Sequence, residues 1–223
     1  MKTIASFAIA MALLFGMVSN SRADNQATTG LYKTIQDLLV GSNYDSAAMA
    51  SGIIAAYIDE DKGNNIQNAR DIKNIASVIA HYYERNPAAR DMDQRELVIT
   101  ALKEAYPAKN AALKGVSPGL GATIMGSAYG FYKQPAPVRV AHAVQGAVYD
   151  SALFGYYVGV RNAENFIIPD EDNNMKNICN VILQYIETHP ESVYKSDRKT
   201  ALPNSVVAPG VVIKALEARY RRG

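Results

Sequence analysis

The residues that could carry chemistry in this chain are few and lie far apart. Its only histidines are His81, His142 and His189, and its only cysteine is Cys179. The histidines lack the short spacing, such as His-x-x-x-His, by which one helix presents two ligands to zinc. Cys179 has no cluster of basic neighbours to lower its thiol pKa and no evident histidine to act as its base. We therefore predict surface histidines, a small buried cysteine, and no catalytic or metal-binding role for these four side chains.

Two acidic segments rich in asparagine offer oxygen ligands of the kind that calcium prefers. They are DEDKGNN, which begins at Asp59, and PDEDNN, which begins at Pro169. Asp59, Asp61 and Gly63 match the start of a calcium-binding loop, but Arg70 stands where that loop needs a bidentate glutamate. We predict solvated turns whose charge favours a neighbouring helix N-terminus, and no bound metal.

The remaining patterns with chemical meaning are weaker. The segment GLGATIMG at 119–126 is rich in glycine, but no strand precedes it and no Gly-Lys-Ser/Thr follows it. We predict a flexible connector or close helix packing for it. No pair of carboxylates lies on an apolar face where it could serve as general acid and base. The sequence therefore predicts a protein that is not an enzyme and holds no cofactor, with an enzyme of unrecognised site as an alternative.

Helices must position these residues, because apolar side chains recur at helical spacing along most of the chain and alternating runs are scarce. Asp93 with Glu96 caps one helix, and Asn173 or Asn174 opens the helix that contains Cys179. We predict an all-α fold. The predicted helices cover 30–40, 44–58, 68–85, 93–106, 122–132, 138–160, 174–190 and 211–220.

The first 23 residues have the pattern of a cleavable signal peptide. Lys2 provides a positive start, the run 4–18 is apolar, and Ser21-Arg22-Ala23 fits a small-x-small cleavage site. The apolar run is short for a membrane span, and no later segment is apolar enough for one. We predict cleavage after Ala23 and a periplasmic or secreted protein without a membrane span; an uncleaved anchor is the alternative.

The charge of the remaining chain is balanced. Removing Lys2 and Arg22 from the 23 basic residues leaves 21, which equals the number of acidic residues. This balance gives no electrostatic reason to expect nucleic acid or an anionic membrane as a partner. A single cysteine excludes an intramolecular disulfide, so packing must stabilise the fold.

Two stretches of the chain have similar sequences. NIASVIAHYYERNP at 74–87 and NICNVILQYIETHP at 177–190 share half of their residues, at an offset of 103 that also relates Gly52 to Gly155. VITALKEAY at 98–106 matches VIKALEARY at 212–220 at an offset of 114, so the second copy carries 11 extra residues before its last helix. This order of shared features predicts an internal duplication.

The duplication predicts two tandem four-helix modules. We place the first at 24–107 and the second at 138–223, joined at 108–137 by a connector rich in Gly, Ala and Pro that holds one loose helix. The modules are expected to pack about a pseudo-twofold axis, as a homodimer would, with Gly52 and Gly155 at close helix contacts. A homodimer of the chain is the alternative.

The second copy resembles the exported immunity proteins of type VI secretion, of the Ssp/Rap/Tai type. The motifs that carry the resemblance are GYYVGV at 155–160, FIIP at 166–169, YIETHPE at 185–191 and KALEARY at 214–220. Ile167 stands where the family has one of its paired cysteines. The resemblance implies a periplasmic helical protein that blocks a peptidoglycan-cleaving amidase by inserting a loop into its cleft.

On this basis we predict that the partner is another protein, contacted by the loops 59–68, 162–173 and 192–208. The alternative is a structural or chaperone-like envelope protein with the same module and no such partner. The predicted contact residues are Asp59, Asp61, Asn64, Asn65, Asn165, Phe166, Asp170, Asp172, Tyr194, Lys195, Arg198 and Lys199.

Overall fold

The computed structural model describes residues 21–61, 72–106, 120–161, 166–193 and 207–222. Within these ranges the chain forms nine α-helices and one two-stranded sheet, which confirms the all-α fold class. The helices are α1 (Ser21–Val40), α2 (Tyr44–Glu60), α3 (Ile72–Arg85), α4 (Gln94–Ala105), α5 (Leu120–Tyr132), α6 (Ala136–Ala141), α7 (Ala143–Arg161), α8 (Met175–Thr188) and α9 (Val207–Arg219).

Short elements complete this architecture. Single 3-10 turns follow α3 at Pro87–Arg90 and α8 at Pro190–Ser192. Strand β1 (Phe166–Ile167) pairs antiparallel with β2 (Arg221–Arg222). Across the five described ranges, no helix is both long enough and apolar enough to cross a bilayer.

Side-chain caps explain where several helices begin. The carboxylate of Asp93 accepts a hydrogen bond of 2.7 Å from the backbone N–H of Glu96, which confirms the predicted cap of α4. Asn174 accepts one of 3.0 Å from the N–H of Asn177 and opens α8. Each cap satisfies a donor that the first turn of a helix leaves without an intrahelical acceptor. The sequence therefore predicted these starts correctly from local chemistry.

Helices α2 and α7 form the centre of the molecule and pack with their backbones in contact. A Cβ atom added at Gly52 would collide with the carbonyl oxygen of Ala152, and one added at Gly155 would collide with that of Met49. Met49 and Ala152 are themselves 103 residues apart, like the two glycines. Exchanging each residue for the one 103 positions away therefore turns the Gly52–Ala152 contact into the Gly155–Met49 contact. This is the relation that a twofold axis produces.

The same contacts give the direction of the central pair. A Cβ atom at Gly52 would lie 3.0 Å from the carbonyl carbon of Gly155, and one at Gly159 would lie 2.5 Å from the Cβ of Ala56. Because matching positions face one another along both helices, α2 and α7 run parallel. Their N-terminal ends therefore lie at the same end of the molecule.

The helices around this pair repeat one packing pattern. In the first half α1 packs against α2, α3 and α4, and α4 packs also against α2 and α3. In the second half α5 packs against α7, α8 and α9, and α9 packs also against α7 and α8. Helix α5 thus occupies in the second half the place that α1 occupies in the first.

A matching surface contact sets the register of α1 and α5. The hydroxyl of Tyr32 in α1 donates to Glu84 at 2.7 Å, and that of Tyr129 in α5 donates to Glu187 at 2.8 Å. The two glutamates are 103 residues apart, but the two tyrosines are only 97 apart. The second half therefore has six more residues between its first and second helices, which equals the length of α6.

Helix α5 confirms the helix predicted at 122–132, but it is packed into the core and is not loose. Ala122, Met125 and Ala128 are almost wholly buried, and they place one face of α5 in the core. A Cβ atom at Gly121 would strike the ring of Tyr156. The small side chains that gave this segment the look of a connector are what allow it to approach α7 closely. Most of the buried apolar residues of both halves belong to one continuous apolar cluster.

Candidate functional site

Asp59, which was predicted to lie in an exposed contact loop, is instead buried in the last turn of α2. The residue is only 4% exposed. One carboxylate oxygen accepts hydrogen bonds from the Tyr156 hydroxyl at 2.9 Å and from the Gly121 backbone N–H at 3.0 Å. Burial raises the pKa of Asp59 to about 6, although both hydrogen bonds act to lower it. The residue joins α2, α5 and α7 and is not accessible to a partner protein.

The other described contact residues lie in two separate places. Asp61 follows α2 and forms an ion pair of 3.8 Å with Lys103. Phe166, also predicted to be a surface contact, is buried on β1, because its ring joins the apolar core. Asp170 and Asp172 lie in the turn before α8, where Asp170 is exposed and Asp172 is partly so. The structure therefore groups only Asp170 and Asp172 on one accessible loop.

The remaining predicted contact residues lie outside the described residues. They are Asn64, Asn65, Asn165, Tyr194, Lys195, Arg198 and Lys199. The same holds for most of the loops that contain them, including 194–206 of the segment predicted as the inserted binding loop.

The histidines and the cysteine have the environments that the sequence predicted. The side chain of His81 is 79% exposed and lies 3.8 Å from Glu84, and His142 and His189 are also exposed. Cys179 is buried, and its thiol donates to the backbone carbonyl of Asp150 at 3.4 Å. Burial raises the pKa of this thiol well above its usual value. Among the described side chains, no group of three or more His, Cys, Asp or Glu residues could hold a metal ion.

Large apolar side chains lie exposed at the end of the molecule where α2 and α7 begin. Val40 and Tyr44 flank the turn between α1 and α2 and are 76% and 73% exposed. Val138, Val140 and Val144 lie on α6 and at the start of α7 and are 39%, 77% and 76% exposed. We call these five residues the apolar end. It holds most of the strongly exposed large apolar residues that the described ranges contain, the others being Tyr106 and Ile167.

Sequence reasoning missed this surface because it assigned 138–160 to one long helix. In the structure α6 and α7 are separate helices, with His142 between them, and α6 has no buried residue. A signal was present in APVRVAHAV at 136–144, where valines at 138, 140 and 144 do not follow a single helical stripe.

No protein-family model, no curated protein and no solved structure matches this chain significantly. The likeness to immunity proteins therefore depends on its four sequence motifs.

Proposed function

We propose that this chain is an exported helical protein whose function is to bind another protein, as an immunity protein binds and inhibits a peptidoglycan-cleaving effector. The observation that carries protein binding is the apolar end. Large apolar side chains exposed at one end of a protein favour an interaction site, since their exposure to water is unfavourable. The four motifs of the second half supply the class of partner, and the N-terminal pattern supplies the periplasmic location.

We infer further that the two halves arose by duplication and pack as a single-chain pseudo-dimer. The reciprocal contacts of Gly52 and Gly155, the repeated helix packing and the repeated Tyr–Glu hydrogen bond all support this inference. Each half covers the central face of the other, so the scaffold needs no second chain to bury it. We expect a monomer in size-exclusion chromatography with light scattering, and an obligate homodimer would count against the inference.

Helix α6 has no equivalent in the first half and contributes no buried residue to the core. The packing does not require α6. Its valines Val138 and Val140 are exposed, as is the neighbouring Val144, and a role in binding explains this better than a role in folding. The binding surface that we propose is therefore centred on α6, and the loop at 192–208 stays a second candidate surface.

A pull-down from periplasmic extract tests the proposal. The bait is the chain that begins at Asp24, and the variants are Val140→Asp with Val144→Asp at the apolar end and Tyr106→Asp after α4. Tyr106 is 41% exposed and lies outside the apolar end and the predicted contact loops, so it serves as the control. We expect the wild type and Tyr106→Asp to capture one cell-wall hydrolase and inhibit it, and the double valine variant to lose it.

Capture of no specific protein, or of one whose hydrolytic activity is unaffected, would refute the immunity role. Capture of many unrelated unfolded proteins would instead support the chaperone-like alternative. Retention of the hydrolase by the double valine variant would move the binding surface away from the apolar end.

A further inference from the structure

We propose that the apolar end recognises a protein segment that combines apolar side chains with at least one carboxylate, and that Arg139 binds the carboxylate. The inference depends on the proposed function in one respect, namely that the partner is a protein. It adds the chemistry of that partner and the residue that selects it.

Arg139 lies between Val138 and Val140 in the sequence of α6, and the residue is partly buried. Its guanidinium carbon is 5.7 Å from the centroid of the Tyr132 ring, which is a cation–π contact. Its Nε atom is enclosed and has no hydrogen-bond acceptor. Enclosed polar groups in proteins are almost always hydrogen-bonded, so this arrangement is incomplete in the isolated chain.

No carboxylate of the described chain forms an ion pair with Arg139. The nearest basic residue along the chain, Lys133, differs in this respect because Glu187 binds its ammonium at 2.7 Å. From Lys133 to Tyr149 the sequence contains no aspartate and no glutamate. The chain on either side of α6 is therefore apolar and cationic, and no described carboxylate pairs with Arg139.

An arginine in this position makes the surface selective. A guanidinium matches a carboxylate through paired hydrogen bonds, and contact with an aromatic ring holds its plane in place. A purely apolar partner would cover Arg139 and leave a charge without water or counter-ion, which is strongly unfavourable. A partner with a well-placed carboxylate avoids this penalty, so the charge discriminates between apolar surfaces.

A protein segment fits this surface better than an anionic membrane. Membrane surfaces are recognised by clusters of about four to eight lysines and arginines. Arg139 is a single cation, and Asp37 and Asp45 lie close in sequence to Val40 and Tyr44 at the same end of the molecule. These carboxylates would oppose an anionic bilayer but not a small apolar segment that carries one or two acids.

The test is a selection of random peptides displayed on phage against the purified chain, followed by affinity measurements on the enriched peptides. We expect enriched peptides to combine apolar residues with Asp or Glu. They should bind the Val140→Asp variant about tenfold or more weakly than the wild type, because a bound peptide buries the Val140 side chain and the aspartate loses that apolar contact. Tyr106→Asp is the control at an exposed residue outside the apolar end and the predicted contact loops, and it should bind like the wild type.

A double-mutant cycle then isolates the charge contact. Each peptide is compared with a version in which its acid is replaced by the corresponding amide, on the wild type and on Arg139→Gln. We expect the wild type to prefer the acidic peptide by about fivefold or more, and Arg139→Gln to show no preference. Thermal unfolding by circular dichroism checks that all variants remain folded, which we expect because the changed side chains lie at the surface.

The proposal is overturned if no peptide is enriched, if the enriched peptides lack acids, or if Arg139→Gln keeps the preference. Binding to phosphatidylglycerol vesicles in place of peptides, or self-association that depends on Arg139, would assign the surface to a membrane or to a second copy and also overturn it. If a captured hydrolase binds the Arg139→Gln and Val140→Asp variants as tightly as the wild type, only this inference fails. If no hydrolase is captured but acidic peptides bind through Arg139, only the immunity role fails.

Discussion

The buried carboxylate of Asp59 should make the stability of this protein fall as the pH rises through the acidic range. In the folded state burial raises its pKa from 3.8 to about 6. Between these two values the folded chain holds a proton that the unfolded chain has released, so a rise in pH favours unfolding. A shift of about two pKa units corresponds to about 3 kcal/mol of unfolding free energy. This contribution is fully present below the unfolded pKa and has disappeared once the pH exceeds the folded pKa.

The substitution Asp59→Asn removes the titration while keeping an oxygen that can accept from Tyr156 or from the Gly121 N–H. The assay is urea unfolding of both proteins from about pH 3.5 to pH 8, followed by circular dichroism. Other carboxylates titrate in both proteins, so the informative quantity is the difference between the two stability curves. We expect the wild type to lose about 3 kcal/mol relative to Asp59→Asn across this range, with the change concentrated between about pH 4 and pH 6.

Parallel stability curves would refute the reasoning, because they would mean that Asp59 titrates alike in the folded and unfolded states. A difference of the opposite sign would mean that hydrogen bonds outweigh burial and lower the pKa. Tyr156→Phe is a second check, since it removes a donor that stabilises the charged form. It should extend the pH-dependent loss of stability to higher pH and destabilise the protein at neutral pH.

Further predictions concern the central helices and the buried thiol. Gly52→Ala and Gly155→Ala should each lower the unfolding free energy by about 2 kcal/mol, since the new methyl group meets a backbone carbonyl that cannot yield easily. Gly30→Ala is the matched control in α1, where nothing lies within 4 Å of the new atom. It should raise the unfolding free energy by about 0.5 to 1 kcal/mol. Equal effects of the three substitutions in urea unfolding would contradict the close packing of α2 and α7. The thiol of Cys179 should react with an aromatic disulfide reagent far more slowly in the native protein than in urea, and a fast native reaction would show that the thiol is accessible.

The positions of most helices and several of their ends could be predicted from the sequence, because local interactions determine them; α1 begins nine residues before the predicted start, and the predicted helix 138–160 is two helices. Asp93 and Asn174 cap their helices through hydrogen bonds that span three residues, and Pro87 ends α3 where the sequence placed the stop. Cys179 was correctly predicted to be buried, because it falls on a periodic apolar face. Each of these conclusions needs only neighbours within one or two helical turns.

Asp59 and α5 were misread for a different reason, which is that their environments come from distant parts of the chain. The segment DEDKGNN has the composition of a solvated turn. No neighbouring residue in the sequence indicates that Tyr156 and Gly121 donate hydrogen bonds to the carboxylate of Asp59. The buried face of α5 consists of Met125 and the small residues Gly121, Ala122 and Ala128, and it lacks a stripe of large apolar residues. Small residues give no periodic signal, although they permit the closest helix contacts.

The sequence by itself determined that this chain is helical, that Gly52 and Gly155 share the 103-residue offset of the two similar stretches, and where several helices begin and end, since periodicity and capping act over short distances. Tertiary structure alone decided that those glycines face each other across parallel helices, that α5 enters the core, and that the valines around Arg139 lie in water. The physical reason is that burial is a property of what covers a residue. An exposed valine and a buried valine are written with the same letter, and only the packing of the other helices distinguishes them.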